Sequence, residues 1–140
     1  MNTLLSLGGL VIFILIWQRI RTGTLNHKTW IAMRHAYPTL ETPEELSASP
    51  LDIVFFYFDD AYMKRNFKFY HTTKGLLITP GSGLFSQQKV LIPWNAIEPT
   101  DLLQRDIGTM QRLRIANTKV TRIDITRTDF IQYIRPHLST

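Results

Sequence analysis

Histidines are the side chains of this sequence that most often support metal binding or acid–base catalysis. The four are His27, His35, His71 and His137. They show no H-x-x-x-H spacing, and the sequence contains no cysteine that could complete a zinc site or form a disulfide. We therefore predict no metal site and no cofactor.

Neither the paired acids nor the serine-containing turn of the sequence shows the geometry of a catalytic site. Asp59 and Asp60 follow a predicted strand, and adjacent strand residues point to opposite faces, so the two carboxylates would not converge on one substrate atom. The run Gly81-Ser82-Gly83 lacks both the G-x-S-x-G frame of a hydrolase and the Lys-Ser/Thr of a phosphate loop. We predict that the chain is not an enzyme, with a hydrolase that pairs His71 with a carboxylate as the alternative.

A group of basic residues alternates with aromatic residues 67, 69 and 70 in the middle of the chain. The candidate surface consists of Lys64, Arg65, Lys68, Lys74 and Lys89. Such a pattern is typical of a solvated sheet face, of a surface for a protein partner or anionic lipid, or of a platform for single-stranded nucleic acid. The net charge is +5, and residues 1–37 alone carry four basic and no acidic residues, so we expect no nucleic-acid partner.

The N-terminal residues 3–20 have no charge before Arg19 and predict a transmembrane helix. As a helix this run would extend roughly 27 Å, about the thickness of the hydrocarbon core. The predicted anchor occupies residues 1–21 and comprises Leu4, Leu7, Leu10, Val11, Ile12, Phe13, Ile14, Leu15, Ile16 and Trp17. A cleaved signal peptide is disfavoured because no basic residue precedes the run. The basic residues that follow it place the remaining chain in the cytoplasm.

The rest of the chain predicts a connector over residues 22–28 and one domain over residues 29–140. A short helix near Lys28 stops at Pro38, and its apolar side packs on the sheet or lies in the membrane interface. A capping box at Thr126 begins a C-terminal helix that we expect to end by Arg135. Between these helices the patterns predict strands over residues 52–58, 66–72, 75–79, 89–93, 111–116 and 119–125.

Several of these segments together resemble a known group. They are Trp30 ahead of Tyr37-Pro38, Gly75 with residues 76–78, and Leu84-Phe85 leading to residues 91–94 and Ile97. Over roughly residues 29–138 the chain resembles the small bacterial membrane-anchored proteins with a pleckstrin-homology-like (PH/GRAM-like) domain, most of which have no known function. The resemblance implies an α+β fold in which a bent, partly open antiparallel barrel is capped by the C-terminal helix. It also implies binding rather than catalysis, with structural roles for Gly75, Pro93 and Trp94.

These expectations combine into one functional hypothesis. The chain is expected to be a single-pass inner-membrane protein whose domain is a non-enzymatic binding module. The module docks a protein partner or a lipid surface at the cytoplasmic face. The alternative is an immunity or accessory factor that acts against an envelope-directed toxin.

Overall fold

The computed structural model describes residues 6–16, 28–58, 61–62, 67–81, 88–116 and 121–138. Helix α1 covers residues 6–16 and helix α2 covers Lys28–Ala36. The strands are β1 (Ser49–Leu51), β2 (Val54–Phe58), β3 (Ala61–Tyr62), β4 (Phe67–His71), β5 (Gly75–Pro80), β6 (Val90–Pro93), β7 (Ile97–Arg105), β8 (Gly108–Ile115) and β9 (Thr121–Thr126). A 3-10 turn covers Trp94–Ala96, and helix α3 consists of Arg127–Asp129, a π-helical turn Phe130–Ile134 and Arg135–Leu138.

The strands form two antiparallel sheets. One has the order β1-β4-β5-β6, and the other has the order β3-β2-β9-β8-β7. Most neighbours are joined by hairpins, but β2 pairs with β9, so the first and last long strands of the domain lie side by side. This pairing places residues that are some seventy positions apart in sequence on one face of the second sheet, as the register Phe55↔Asp124 illustrates.

The hydrophobic core lies between the two sheets. Phe56 of β2 contacts Phe67 and Phe69 of β4 edge to face, with ring centroids 5.3 and 5.1 Å apart. Trp30 of α2 adds a third layer of aromatic packing against Phe67 at 4.6 Å. Aromatic pairs in this geometry add about 0.5–1.5 kcal/mol beyond the burial of their area. Helix α2 therefore packs into the core, which decides between the two predicted positions of its apolar side.

The turn between β4 and β5 is fixed by Thr72, Gly75 and Trp94. The Thr72 hydroxyl donates to the Gly75 carbonyl oxygen at 2.8 Å, and the Trp94 indole donates to the Thr72 carbonyl oxygen at 3.1 Å. A Cβ at position 75 would collide with the backbone of Ile92 on β6, so the strands approach this closely only because Gly75 has no side chain. The structural roles predicted for Gly75 and Trp94 are confirmed.

The predicted fold class and the predicted membrane anchor are wrong. The chain is mostly β, with two antiparallel sheets and a few short helices, rather than an α+β domain behind a transmembrane helix. Within the described ranges no helix combines the length and apolar character that a membrane crossing requires. The part of helix α1 that the structure describes, residues 6–16, extends about 16 Å at 1.5 Å per residue, against about 30 Å of hydrocarbon.

The correction applies residue by residue to the predicted anchor. The predicted residues that lie in α1 are exposed; they are Leu7, Leu10, Val11, Ile12, Phe13, Ile14, Leu15 and Ile16. Leu4 and Trp17 lie outside the described residues. The single-pass inner-membrane localisation depended on this run as a spanning helix and is wrong with it.

Nearby residues determine where helices α2 and α3 begin and end. Helix α2 ends at Ala36, as expected from Pro38. The Thr126 hydroxyl oxygen accepts the backbone N–H of Asp129 at 3.2 Å, which confirms the predicted cap of α3. This helix continues past Pro136, where we expected it to stop. The π-helical turn before the proline, in which the Arg135 N–H donates to the Phe130 carbonyl oxygen, gives the wider backbone that accommodates the ring.

Candidate functional site

The residues predicted to form one basic surface lie in separate places. Lys64 and Arg65 are outside the described residues. Lys68 is exposed on β4 at the rim of a cavity of about 280 Å³ that also contacts β1. Lys74 forms an exposed ion pair with Glu41 at 3.2 Å, and Lys89 lines a separate cleft beside α2. The described lysines are therefore not brought together as a single docking surface.

A different cationic and aromatic surface covers the outer face of the five-stranded sheet. We call it the Arg–aromatic face; it consists of Phe55, Tyr57, Tyr62, Glu98, Arg105, Arg112, Arg114, Arg122 and Asp124. Strand alternation places these side chains on one side, since Phe55, Asp124 and Arg112 are register partners across three strands. The core residues Phe56 and Ile123 take the opposite side.

A buried carboxylate organises the centre of this face. Asp124 is fully buried, and its Oδ1 and Oδ2 accept hydrogen bonds from Arg112 Nε and Nη2 at 2.9 and 3.1 Å. Arg105 Nη2 donates to Oδ2 at 3.1 Å from the other side. The hydrogen bonds that Arg112 donates to Asp124 raise the pKa of Arg112 above its ordinary value. A buried carboxylate is tolerated because it is paired and hydrogen-bonded in this way.

Arg105 is held by aromatic rings as well as by the carboxylate. Its guanidinium lies 4.2 Å from the centroid of Phe55, and Nη2 donates to Tyr57 Oη at 2.8 Å. Burial lowers the pKa of Arg105, but the hydrogen bonds to Tyr57 and Asp124 outweigh burial and raise it overall. Arg122 extends the pattern with its guanidinium 5.1 Å from the Tyr57 ring. Cations placed over rings at these distances are stabilised by about 0.5–2 kcal/mol each.

The side chains at the edge of the Arg–aromatic face are open to solvent. Tyr62 on the edge strand β3 contacts the rings of Phe55 and Tyr57 at 5.9 and 5.4 Å and is itself exposed. Arg114 and Glu98 form an exposed ion pair at 2.7 Å. The face thus has a hydrogen-bonded centre and an exposed, charged rim. Protein interfaces commonly show a polar rim of this kind.

Sequence reasoning misses this face because the continuous apolar and aromatic run of residues 52–58 is typical of a strand that is buried on both sides. Phe55 and Tyr57 are only half buried, since their side of β2 lies on the outer face. A signal was available in the spacing of Arg112 with Arg114 and of Arg122 with Asp124. Each pair alternates with core residues, which indicates one charged face on both strands of a hairpin.

A second cluster joins α3 to the sheets through stacked rings. His71 of β4 stacks on Tyr133 with centroids 4.3 Å apart, and His137 stacks on Trp94 at 4.8 Å. Burial lowers the pKa of His71, the nearby His137 lowers it further, and Asp129 acts in the opposite direction. The arrangement attaches the helix to the domain. No grouping of histidine and acidic residues suited to a metal ion occurs in the described part of the chain.

Two packed antiparallel sheets with a charged, ring-bearing outer face define a small β-rich domain without an evident reaction centre in its described residues. Comparison with known proteins adds no relative, because no family model matches the chain and no curated protein matches it. The resemblance to PH/GRAM-like proteins therefore stays a prediction.

Proposed function

We propose that the chain is a non-enzymatic binding module that docks an acidic segment of a protein partner on its Arg–aromatic face. The observation that carries the proposal is the position of Arg105, whose guanidinium lies on the Phe55 ring and against buried Asp124. About 28% of this side chain nevertheless stays exposed. An arginine and a group of tyrosines in one ordered patch are the residue types that dominate binding energy at protein interfaces.

Preorganisation supports docking at this face. An arginine ordinarily loses considerable rotamer freedom when a partner immobilises it. Here Arg105 and Arg112 are already fixed by three hydrogen bonds to Asp124. A partner would therefore meet an ordered surface and would lose less of the interaction energy to ordering these side chains.

Charge supports an acidic partner. The Arg–aromatic face carries four arginines against the carboxylates of Asp124 and Glu98, and Asp101 is near enough to interact electrostatically with Arg112. Because Asp124 is fully buried and both its oxygens are occupied, it is shielded from an approaching ligand. A partner therefore meets positive charge around exposed tyrosine, which favours segments rich in Asp and Glu.

Single-stranded nucleic acid is the other ligand that arginines and aromatic rings can suit. The observations favour protein because Arg105 and Arg112 already share the Asp124 carboxylate and Arg114 is paired with Glu98. A phosphate backbone is bound by releasing counterions from several cations that the protein leaves uncompensated. Nucleic-acid binding is therefore included as a separate outcome of the test.

The test is a selection of random displayed peptides on the full chain, compared with a double variant that changes the rim of the face. Arg114→Glu with Tyr62→Ser removes one exposed cation and one exposed ring and leaves the core untouched. The matched control is Lys74→Glu, since Lys74 and Arg114 are 61% and 60% exposed and each pairs with a glutamate. We expect enriched peptides rich in Asp and Glu, bound about tenfold more weakly by the double variant, as for loss of a hot-spot residue.

Four results would contradict the proposal. Enriched peptides could lack acidic residues, or bind the double variant and the unchanged chain equally. The Lys74→Glu control could weaken binding as much as the double variant, which would indicate net charge rather than this face. Finally, salt-sensitive binding of an oligouridylate probe that the double variant loses, without acidic peptides in the selection, would assign the face to nucleic acid.

A further inference from the structure

A cleft of about 550 Å³ lies beside α2, away from the Arg–aromatic face. Ile31, Pro38 and Leu40 provide apolar walls, while Arg34, His35 and Lys89 provide the polar groups. Among the described residues, none of those that line it is acidic. Pockets of roughly 300–1,000 Å³ with apolar walls and a few polar groups are the usual form of small-molecule sites.

The two cations of the cleft, Arg34 and Lys89, have no counterion among the residues that the structure describes. Among the described residues, neither Arg34 nor Lys89 forms an ion pair or a side-chain hydrogen bond, whereas Lys74, Arg105, Arg112 and Arg114 all do. Both side chains are half buried rather than fully solvated. Half-buried cations without partners attract an anion, since the low-dielectric wall behind them strengthens the interaction.

The apolar side chains that line the cleft are largely open to solvent. Leu40 is 87% exposed, and Ile31, which also lines the cleft, is exposed as well. A single exposed leucine needs no explanation, but here it lies beside an isoleucine, a proline and two unpaired cations. The cleft therefore offers aliphatic contact and positive charge to the same ligand.

We propose that this cleft binds a small organic carboxylate with an aliphatic chain. Arg34 and Lys89 would hold the carboxylate, with His35 beside them, and Leu40 and Ile31 would cover the chain. The volume accommodates a medium-chain carboxylate and is too small for a folded partner. The inference does not depend on the proposed function, because the two sites share no residue.

Stabilisation of the C-terminus of α2 explains the presence of some, but not all, of the basic residues in the cleft. Arg34 and His35 lie in the last turn of α2, where basic side chains interact favourably with the helix C-terminus. Lys89 is outside any helix, immediately before β6, so helix termination does not account for its place in the cleft.

The experiment measures binding of decanoate to the full chain by isothermal titration calorimetry, below the micelle concentration of each probe. Octanoate tests the chain contact, and decyltrimethylammonium is a cation with the same alkyl chain. We expect decanoate to bind more tightly than octanoate, by up to about fourfold per buried methylene. We expect the cationic probe to bind at least about tenfold more weakly than decanoate.

Variants then assign the binding to the cleft. Arg34→Gln and Lys89→Gln should each weaken decanoate by about fivefold, the upper range for a partly exposed ion pair. Leu40→Ser should reduce the difference between decanoate and octanoate. Lys68→Gln is the matched control, since Lys68 is an exposed lysine of the same sheet outside the cleft.

Each outcome supports or overturns the proposal. Equal binding of decanoate and decyltrimethylammonium would indicate nonspecific apolar association and overturn it. So would decanoate affinity that Lys89→Gln leaves unchanged, or that Lys68→Gln lowers as much. If Arg34→Gln lowers the melting temperature while the decanoate affinity stays the same, Arg34 acts only on the helix and the carboxylate site is refuted.

Discussion

Replacing Asp124 with asparagine tests whether the buried carboxylate organises the Arg–aromatic face. The change keeps the shape of the side chain and removes its charge. The asparagine oxygen can take the position of Oδ2 and still accept from Arg105 and Arg112, but its NH₂ group must then occupy the position of Oδ1. There it would face the Nε–H donor of Arg112, which hydrogen-bonds that oxygen in the unchanged chain.

The expected loss of stability follows from the geometry and the exposure of the partners. A hydrogen bond to a charged group contributes about 1.5–3 kcal/mol, and breaking a fully buried ion pair costs about 3–5 kcal/mol. The side chains of Arg105 and Arg112 are 28% and 24% exposed, so water can hydrate them in part after the change. We therefore expect Asp124→Asn to lower the free energy of unfolding by about 3 kcal/mol.

Urea unfolding followed by tryptophan fluorescence measures this loss, because Trp30 and Trp94 are buried in the folded chain. With an m value of about 1.5 kcal/mol/M, the midpoint should fall by about 2 M. The matched control is Glu98→Gln, which also removes a carboxylate paired with an arginine on the same face. Because Glu98 and Arg114 are both exposed, we expect a loss below about 1 kcal/mol there.

Equal losses in the two variants would refute the reasoning. So would an Asp124→Asn chain with unchanged stability, since the carboxylate would then not hold the arginines in solution. A double-mutant cycle with Arg112→Gln separates the pair from its surroundings. Its coupling energy should reach about 1–3 kcal/mol, as for residues that share one hydrogen-bonded network.

Three further predictions concern the scaffold and use the same urea assay. Gly75→Ala should lower stability by about 3 kcal/mol, because a Cβ there collides with the Ile92 backbone; a neutral effect would show that β5 and β6 can separate freely. Thr126→Ala should cost about 1 kcal/mol by removing the hydroxyl oxygen that accepts the Asp129 N–H, and Thr126→Ser should restore most of it. Burial lowers the pKa of His71 from its ordinary 6.5, so below about pH 6.5 the unfolded chain binds more protons at this ring than the folded chain. Its contribution to stability is therefore complete above about pH 6.5 and is lost as the pH falls toward the folded-state pKa; an identical pH profile for His71→Gln would exclude His71 as the cause.

Local features of the fold were predictable from the sequence because their causes are local. Helix α2 ends before Pro38 since proline disfavours helical backbone in the residue that precedes it. The hairpin of β5 and β6 follows from two apolar runs that flank a connector rich in glycine and glutamine. The cap at Thr126 needs only a hydroxyl three residues before an available N–H.

The Arg–aromatic face was not predictable because its causes are distant in sequence. Phe55 and Asp124 become neighbours only when β2 pairs with β9, and no local pattern specifies that pairing. The aromatic residues of β2 point to both sides of the strand. Such a sequence is typical of a strand that is buried on both faces. What covers the outer side is not a second apolar layer but the guanidinium of Arg105, contributed by β7.

The two proposed sites differ in how far carboxylates of the chain compensate their positive charge, and this difference decides what each site can bind. On the Arg–aromatic face, Asp124 and Glu98 compensate only part of the charge of the four arginines, so the face keeps a positive excess and selects ligands by ring contact and shape as well as by charge. In the cleft, Arg34 and Lys89 have no partner among the described residues, so the anion must come from the ligand. Raising the salt concentration should therefore weaken decanoate binding in proportion more than peptide docking, because salt ions can screen the cleft cations that no carboxylate of the described residues compensates.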